Sequence, residues 1–258
     1  LILINCNMDY MNKLHKNESP EMILAFESAI STFKYFWREL YWEYRRIVPA
    51  LELAYVKCAF IQENLEDKNE PLIEYMWIDQ VDFDGSTISG TLLNEPYIID
   101  NVQSGETVRL KFESIVDWMF LSNGTVHGAF TIQEYRKTLD ESGRKEYDEA
   151  WGIDFGNPDE IFLVYDQKNC PENLEEHPMC KSILNQFINI INTDPTIITE
   201  KDESGNQLLH REVIAGNYLF VQELLRLNTN KLEINKQSMT PLDLAHKLGW
   251  NNIVNLLK

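Results

Sequence analysis

The chain has 258 residues, of which 44% are hydrophobic and 25% are charged, a composition that allows a substantial core and excludes long disordered stretches. It holds 41 acidic and 23 basic side chains, which gives a formal net charge of −18. Residues 1–169 carry 30 acidic and 15 basic side chains, and residues 170–258 carry 11 acidic and 8 basic ones. The excess of acidic residues is therefore concentrated in the N-terminal two thirds of the chain. A field of this sign repels nucleic acid and anionic membranes and attracts basic proteins, although high charge also simply keeps a protein in solution.

Targeting segments and metal sites are not expected. Residues 1–5 lack the basic flank of a signal peptide, and no run of about 18 apolar residues is present, so we expect a cytoplasmic protein without a membrane-spanning helix. The spacing of Cys170, His177 and Cys180 fits no common zinc pattern, and we predict neither a metal nor a cofactor. Residues 1–18 are weakly patterned, and they form either a first strand or a loose N-terminal arm.

The first predicted element is a long, aromatic-rich helix. Ser19 and Pro20 are typical of a helix start, and Pro49 is expected to end the helix. Apolar residues recur every three or four positions between them, which predicts one buried face. These residues are Met22, Phe26, Ile30, Phe33, Trp37, Leu40 and Tyr44.

After Pro49 the apolar period changes to two, which predicts a run of strands between residues 56 and 130. Asp84-Gly85 and Asn123-Gly124 are strong hairpin turns, so we predict an antiparallel, curved sheet packed on the first helix.

We expect two short helices next, one with Thr131 as its N-cap and one over 144–151. A last strand is expected over 161–165, a linker over 169–178, and a further helix over 179–191.

The end of the chain repeats itself with a period of 33. Gly216 aligns with Gly249, and the segment that starts at Gln207 aligns with Thr240-Pro241-Leu242. This pattern resembles the ankyrin repeat, although the first copy lacks the usual Thr-Pro start. The resemblance implies a binding scaffold over 179–258, with about two repeats and a capping helix, in which single units are too small to be stable alone. Alternatively, so short an array only buttresses the front domain.

Residues 25–160 resemble a bacterial family, the YegJ-like domain of unknown function. The matching segments include Phe36-Trp37-Arg38-Glu39-Leu40, Met76-Trp77-Ile78, residues 90–96, Asp117-Trp118-Met119, Gly128-Ala129-Phe130-Thr131 and residues 151–156. The resemblance implies a bacterial origin and brings no catalytic residue with it.

The fold class predicted for the whole chain is α+β, with an arm at 1–18, an acidic domain at 19–168, a linker at 169–178 and the all-α ankyrin-repeat tail at 179–258.

Few residues suggest catalysis. The glycines form no phosphate-binding loop, and Asp82 to Gly85 is better explained as a hairpin turn than as the start of a calcium loop. His127 with Asp117 is the best catalytic pair, and a pocket lined by Trp77, Trp118 and His127 is an alternative hypothesis of an enzyme or a small-ligand domain. We nevertheless predict that the chain is not an enzyme.

The strongest local feature is electrostatic. Residues 140–176 hold twelve acids against three bases, with the aromatic residues Tyr147, Trp151 and Phe155 among them. Such a segment is either a solvated face or a surface for a basic partner, and the aromatic residues favour the second interpretation. The predicted partner-binding residues are Asp140, Glu141, Glu146, Asp148, Glu149, Trp151, Asp154, Asp159 and Glu160.

These features together predict a cytoplasmic protein-binding protein. One specific hypothesis is a bacterial immunity protein that neutralises a basic toxin, such as a nuclease, through its acidic surface. The expected partner is a basic protein, and neither nucleic acid nor a membrane is expected. A structural adaptor without any toxin remains a further hypothesis.

Overall fold

The computed structural model describes residues 18–65 and 71–258, which form two compact units. The first unit contains the chain up to Phe33 together with Ala50–Phe83 and Thr87–Phe162. The second contains Lys34–Pro49, Asp84–Ser86 and Leu163–Lys258. The proposed arm lies almost wholly outside the described residues, and the proposed boundaries at 168 and 178 stay a prediction.

Helix α1 spans Pro20–Glu43 and begins where the sequence predicts. The Ser19 hydroxyl accepts the N–H of Met22 at 3.2 Å, as expected of an N-cap. The helix ends at Glu43, before Pro49, so the prediction that the proline ends it is wrong. Its residues up to Phe33 belong to the first unit and those from Lys34 to the second.

The first unit contains a six-stranded sheet in the order β4-β3-β2-β1-β5-β6. All neighbouring pairs are antiparallel, which confirms the mixed α/β class and the antiparallel sheet. The strands are β1 Leu53–Gln62, β2 Leu72–Phe83, β3 Thr87–Leu92, β4 Thr107–Lys111, β5 Ile115–Ser122 and β6 Thr125–Gly128. Both predicted turns are confirmed, because Asp84-Gly85 joins β2 to β3 and Asn123-Gly124 joins β5 to β6.

Two irregularities interrupt the alternation of side chains along the strands. The register of β2 against β3 shifts between Asp79 and Asp82, and Gln80 there has a φ of 48°. The register of β1 against β5 shifts between Lys57 and Cys58. A bulge of this kind moves the following residues to the other face of the sheet.

Aromatic side chains dominate the core of the first unit. The Trp118 ring N–H donates to the carbonyl of Ala29 on α1 at 2.9 Å. Phe33, also on α1, contacts Phe83 and Phe112 edge-on, with ring centroids 5.2 and 5.8 Å apart. Aromatic pairs in this geometry add to the stabilisation that comes from burial itself, so these contacts fix the first half of α1 to the sheet.

Two helices follow the sheet, α2 Phe130–Lys137 and α3 Glu141–Trp151. The prediction of Thr131 as an N-cap is wrong, because α2 already begins at Phe130 and its N-cap position is Ala129, in the left-handed conformation. The second helix starts earlier than predicted because Asp140 caps it. The predicted strand over 161–165 is reduced to one isolated bridge between His127 and Phe162.

The second unit contains, besides the end of α1, the helices α4 Pro178–Ser182, α5 Leu184–Thr193, α6 Leu208–Ile214, α7 Tyr218–Arg226, α8 Pro241–Leu248 and α9 Asn251–Leu257. Short 3-10 turns lie at Pro171–Leu174 and Pro195–Ile198 in this unit and at Phe112–Ser114 in the first unit. The single helix predicted over 179–191 is wrong, because Ile183 separates α4 from α5.

The helix pair α6–α7 recurs as α8–α9 at the period of 33 seen in the sequence. Gly249 caps the end of α8 and Gly216 lies two residues past the end of α6, and both have a φ of 70°. A Cβ at Gly216 would lie 2.2 Å from the ring of Trp250, so the close approach of the next repeat requires glycine there.

Candidate functional site

The predicted acidic site lies on α3 and the loop that follows it. Residues 140–160 carry eight carboxylates against two basic side chains, Arg144 and Lys145. Seven of these carboxylates are exposed. We call them the acidic surface: Asp140, Glu141, Glu146, Glu149, Asp154, Asp159 and Glu160.

Two members of the acidic surface also accept hydrogen bonds from the local backbone. Asp140 caps α3 by accepting the N–H of Gly143 at 2.8 Å. Asp154 accepts the N–H of Gly156, also at 2.8 Å, and so closes the turn after the helix. The acids are therefore presented on an ordered helix and turn rather than on an extended tail.

Two of the predicted partner-binding residues are half-buried and differ from the rest. Asp148 binds the guanidinium of Arg136 at 2.8 Å. Trp151 contacts Phe155 and Trp77 edge-on, with ring centroids 5.8 and 6.3 Å apart. Trp151 therefore supports the core beneath the acidic surface.

The acidic segment does not extend on the surface to residue 176 as the sequence suggested. Glu176 is buried in the second unit and accepts the N–H of Leu219 at 2.8 Å. Burial raises the pKa of this carboxyl, and its hydrogen bonds and the charge of Arg38 only partly offset that effect. Its role is structural, so the acidic surface ends before it.

A groove of about 860 Å³ opens within the acidic segment, and we call it the α3 groove. The carboxylates of Glu141, Asp148, Glu149 and Asp154 line it together with the basic side chains of Arg136, Arg144 and Lys145. The remaining lining comes from the loop over 152–158. Four of the predicted site residues therefore converge on one concave feature.

Arg136 forms the floor of the α3 groove. Its guanidinium donates to the Gln133 side-chain oxygen at 2.6 Å, to the Gly156 carbonyl at 3.0 Å and to Asp148 Oδ2 at 2.8 Å. Three buried polar atoms beside these contacts have no hydrogen-bond partner in the structure: Arg136 Nε, Arg144 Nε and Asp148 Oδ1. Sequence reasoning did not identify Arg136 and Arg144 as neighbours of Asp148. The only signal in the sequence is the four-residue spacing of Arg144 and Asp148, which places them on one face of a helix.

The alternative pocket lined by Trp77, Trp118 and His127 is not formed. Trp77 is paired with Lys57, and Trp118 with the adjacent Val56, so the two tryptophans lie on opposite faces of the sheet. The His127 ring stacks on Phe120 with centroids 4.2 Å apart, on the Trp118 face. Period-two alternation thus separates residues that the sequence alone had grouped.

The pair of His127 and Asp117 is separated in the same way. Asp117 is the cross-strand partner of Lys57 and is fully buried, whereas His127 pairs with Phe120 on the other face. Asp117 accepts the backbone N–H groups of Phe130 and Thr131 at 2.9 and 2.8 Å. The structure therefore gives this carboxylate a capping role at the start of α2.

Metal and membrane features can be judged only for the described part of the chain. Over 18–65 and 71–258 no cluster of three or more His, Cys, Asp or Glu side chains is placed to hold a metal ion. Both ring nitrogens of His177 are engaged, with Glu39 and with the N–H of Met179, each at 3.1 Å. None of the helices described is both long and apolar enough to cross a bilayer.

Comparison with known proteins gives two curated relatives and one family. The chain is 47% identical, over 91% of its length and 91% of the relative's, to the "Putative ankyrin repeat protein NMB1133/NMB1171" of Neisseria meningitidis serogroup B. It is 32% identical to the "Uncharacterized protein YegJ" of Escherichia coli K12 over 23% of this chain and 39% of that protein. No solved structure matches the chain. Residues 19–155, which hold the sheet, α2 and α3, match the family model, and the chain belongs to the bacterial family described as "Uncharacterized protein conserved in bacteria (DUF2314)".

Proposed function

We propose that this chain is a protein-binding protein whose acidic surface holds a basic protein partner. The observation that carries the proposal is the set of seven exposed carboxylates on α3 and its loop, against only two basic side chains in the same segment. Clustered charges of one sign repel one another and lower stability, so a function that uses them is the simplest account of their placement.

The same charges determine which partners are disfavoured. A net charge of −18 repels nucleic acid and anionic lipid, whereas it steers a basic protein toward the surface and speeds its association. The proposal assigns the chain no reaction and no cofactor, and it places binding in the cytoplasm.

The helix pairs at the end of the chain are a second observation that supports a binding role. They recur every 33 residues, and the second begins with Thr240-Pro241-Leu242, as ankyrin repeats do. The name of the meningococcal relative also refers to ankyrin repeats. We propose that this chain carries a short ankyrin array over 179–258, and arrays of this kind present surfaces to other proteins.

The finer proposal is an immunity protein that neutralises a basic toxin, such as a nuclease. A nuclease binds the phosphates of nucleic acid in a cationic cleft. A rigid array of carboxylates can occupy that cleft in place of the phosphates. The acidic surface has the charge for this role and is presented on an ordered helix.

Charge reversal within the acidic surface tests the binding proposal. Immobilised full-length chain is incubated with lysate of a bacterium that carries the gene, and the retained proteins are identified by mass spectrometry. We expect retention of a strongly basic protein at low salt, and we expect Glu146→Lys with Glu149→Lys to abolish that retention. The matched control is Glu27→Lys with Glu203→Lys, which makes the same change in net charge at exposed positions elsewhere.

The two pairs of variants separate a local site from general charge. If both pairs lose the partner equally, the acidic surface is not the binding site. If no basic protein is retained by the unmodified chain at low salt, the proposal of a basic partner is wrong.

Growth rescue tests the immunity proposal separately. The gene that neighbours this one is expressed in a heterologous bacterium with and without the chain. We expect the neighbouring product to stop growth and the unmodified chain to restore it, whereas the Glu146→Lys, Glu149→Lys variant should not. A harmless neighbour, or toxicity that the chain does not relieve, would remove the immunity role and leave protein binding open to the capture experiment.

A further inference from the structure

The open edge of β4 is a candidate docking site that lies outside the acidic surface. We propose that β4 binds an extended segment of a partner protein as an additional strand, in which acidic and apolar side chains alternate. The main chain of this segment pairs with β4, and its acidic side chains pair with Arg109 and Lys111. The site goes beyond the proposed function, because none of the carboxylates that carry that proposal takes part in it.

One edge of β4 faces away from the sheet. Among the strands described over 18–65 and 71–258, β4 lies at the end of the sheet and pairs with β3 alone. The N–H of Leu92 donates to the carbonyl of Glu106 at 2.9 Å. Alternate residues of an antiparallel strand bond to the same neighbour, so Val108 also directs its main-chain groups to β3. Those of Thr107 and Arg109 point the other way, and an edge of this kind is a template for a further strand.

A groove of about 270 Å³ follows this edge. Residues 106–110 all line it. Successive side chains of a strand point to opposite faces, so a run of consecutive residues lines one groove only where the groove follows the edge of the strand. The edge of β4 is therefore recessed, and a segment that enters the groove meets its main chain.

The end of β1 lines the same groove, at Phe60 and Ile61. β1 pairs with β5 only as far as Cys58, and its residues 59–62 pair with β2 alone among the described strands. The carbonyl of Ile61 accepts the side-chain N–H of Asn101, from the loop before β4, at 3.4 Å. The loop thus covers the β1 wall of the groove, and β4 is the wall that pairs with an added strand.

The side chains of β4 determine which sequence the added strand carries. Thr107, Arg109 and Lys111 are exposed on one face of the strand, and Val108 is 7% exposed on the other. An added strand places its alternate side chains on the same two faces. Acidic residues therefore lie beside the two basic side chains, and apolar residues lie beside Val108. Glu106, just before β4, accepts a main-chain N–H of its own loop at 3.1 Å.

A second copy of this chain is a poor occupant of the edge. Antiparallel pairing of two β4 strands places Arg109 and Lys111 of one copy against the same cations of the other. Like charges that face each other across two strands are destabilising, and basic side chains on an edge strand prevent this kind of self-pairing. A segment with acidic side chains turns the same repulsion into attraction, so the edge discriminates in favour of another protein.

Two blocked peptides test the site with the isotope-labelled full-length chain. The probe is acetyl-Glu-Val-Glu-Val-Glu-amide, and its control replaces each glutamate by glutamine, which has nearly the same shape but no charge. In NMR titration we expect the glutamate peptide to bind at least about tenfold more tightly, because charge-assisted hydrogen bonds are the stronger ones. The amide signals of residues 106–110 should shift as it binds.

Two pairs of variants separate the charge of β4 from the charge of the whole chain. Arg109→Gln with Lys111→Gln should remove the preference for the glutamate peptide, because both cations of the edge are lost. Lys181→Gln with Lys236→Gln makes the same change in net charge at exposed positions elsewhere and should keep the preference. Circular dichroism establishes that each variant is folded.

Methylation of the peptide tests whether its main chain makes the contact. Alternate N–H groups of an added strand point to β4 and away from it. We therefore expect N-methylation of the central glutamate and N-methylation of the valine before it to differ in effect on the affinity by about tenfold, since only one of the two hydrogen bonds is made.

Three results would overturn the assignment. They are equal binding of the glutamate and glutamine peptides, equal effects of the two N-methyl groups, or shifts of amide signals that exclude β4. A dimer of the unmodified chain that pairs through β4 would also overturn it, because a second copy would then occupy the edge. Each of these results leaves the proposed function standing, since the capture of a basic protein is tested at Glu146 and Glu149.

Discussion

His177 illustrates how a single buried residue in the second unit is fixed by its surroundings. Nδ1 accepts the N–H of Met179, so the proton of the neutral ring lies on Nε2 and is donated to Glu39. The ring stacks on Trp42 with centroids 5.4 Å apart. Burial lowers the pKa of His177, and Glu39 only partly opposes this. The neutral tautomer is therefore the form that the folded chain keeps.

This pKa shift predicts a loss of stability in mild acid. The unfolded chain takes up a proton at His177 near pH 6.5, but the folded chain does so only at lower pH. The contribution of His177 is therefore fully present above about pH 6.5 and falls as the pH drops toward the folded-state pKa. We expect His177→Asn, which keeps a cap for Met179, to make the decline in unfolding free energy between pH 7 and pH 5 shallower.

The other charged groups around His177 define the controls for that measurement. The charges of Arg38 and Arg46 add to the lowering of the His177 pKa and are present in both proteins, and the lowered pKa of Glu39 places its own effect below about pH 4.5. Glu176 has a raised pKa and therefore gains stability as the pH falls, but it is present in both proteins and cancels in the comparison. The same measurement on His246→Asn, at an exposed position, controls for the removal of a histidine as such.

At the scale of elements, Asp117 links the sheet to α2. Its carboxylate accepts from Trp118 N at 2.8 Å and from Thr131 Oγ1 at 2.6 Å, besides the N–H groups of Phe130 and Thr131. No side chain caps α2 from its own N-cap position. The helix start thus depends on a carboxylate from β5.

We predict that removing this carboxylate destabilises the first unit. Asp117→Asn should lower the free energy of unfolding by about 1–3 kcal/mol, because one acceptor oxygen is replaced by an amide that cannot accept the same N–H groups. Denaturant unfolding measures the change. Asp82→Asn, at an exposed strand position, should stay within about 0.5 kcal/mol of the unmodified chain, and equal losses in both would contradict the capping role.

Local patterns predicted most of the elements, and contacts between distant residues account for what they missed. Alternating apolar residues and the two Asx-Gly turns were sufficient to find the strands, since strand and turn preferences act over a few residues. The cap of α2 was missed because Asp117 lies 13 residues before Phe130. The bulge at Gln80 was missed as well, because nothing local marks that residue for a positive φ.

The candidate site shows the same division. The acidic composition of 140–160 and the helix under it could be predicted from the sequence. The α3 groove could not, because its floor depends on Arg136 reaching the carbonyl of Gly156, 20 residues away. The burial of Glu176 could not be predicted from the sequence either, because its hydrogen-bond partner Leu219 lies 43 positions later.

At the scale of the whole molecule, the net charge of −18 should make stability depend on salt. Repulsion between carboxylates acts over about 30 Å at 0.01 M salt but only about 8 Å at 0.15 M. We therefore expect the free energy of unfolding to rise with sodium chloride over this range. A decrease would mean that attractive ion pairs outweigh the repulsion.

The two pairs of charge-reversal variants test where that repulsion arises. Glu146→Lys with Glu149→Lys and Glu27→Lys with Glu203→Lys both change the net charge from −18 to −14, since each substitution adds two charges. If the acidic surface is where repulsion is stored, the first pair should stabilise the chain at low salt by about 0.5 kcal/mol more than the second. The same pair is expected to abolish partner capture, so a gain in stability together with a loss of binding would show that the carboxylates are kept for the partner at the expense of the fold. Equal gains from both pairs would mean that the cluster stores no more repulsion than the rest of the chain, and charge crowding would then no longer argue for a partner.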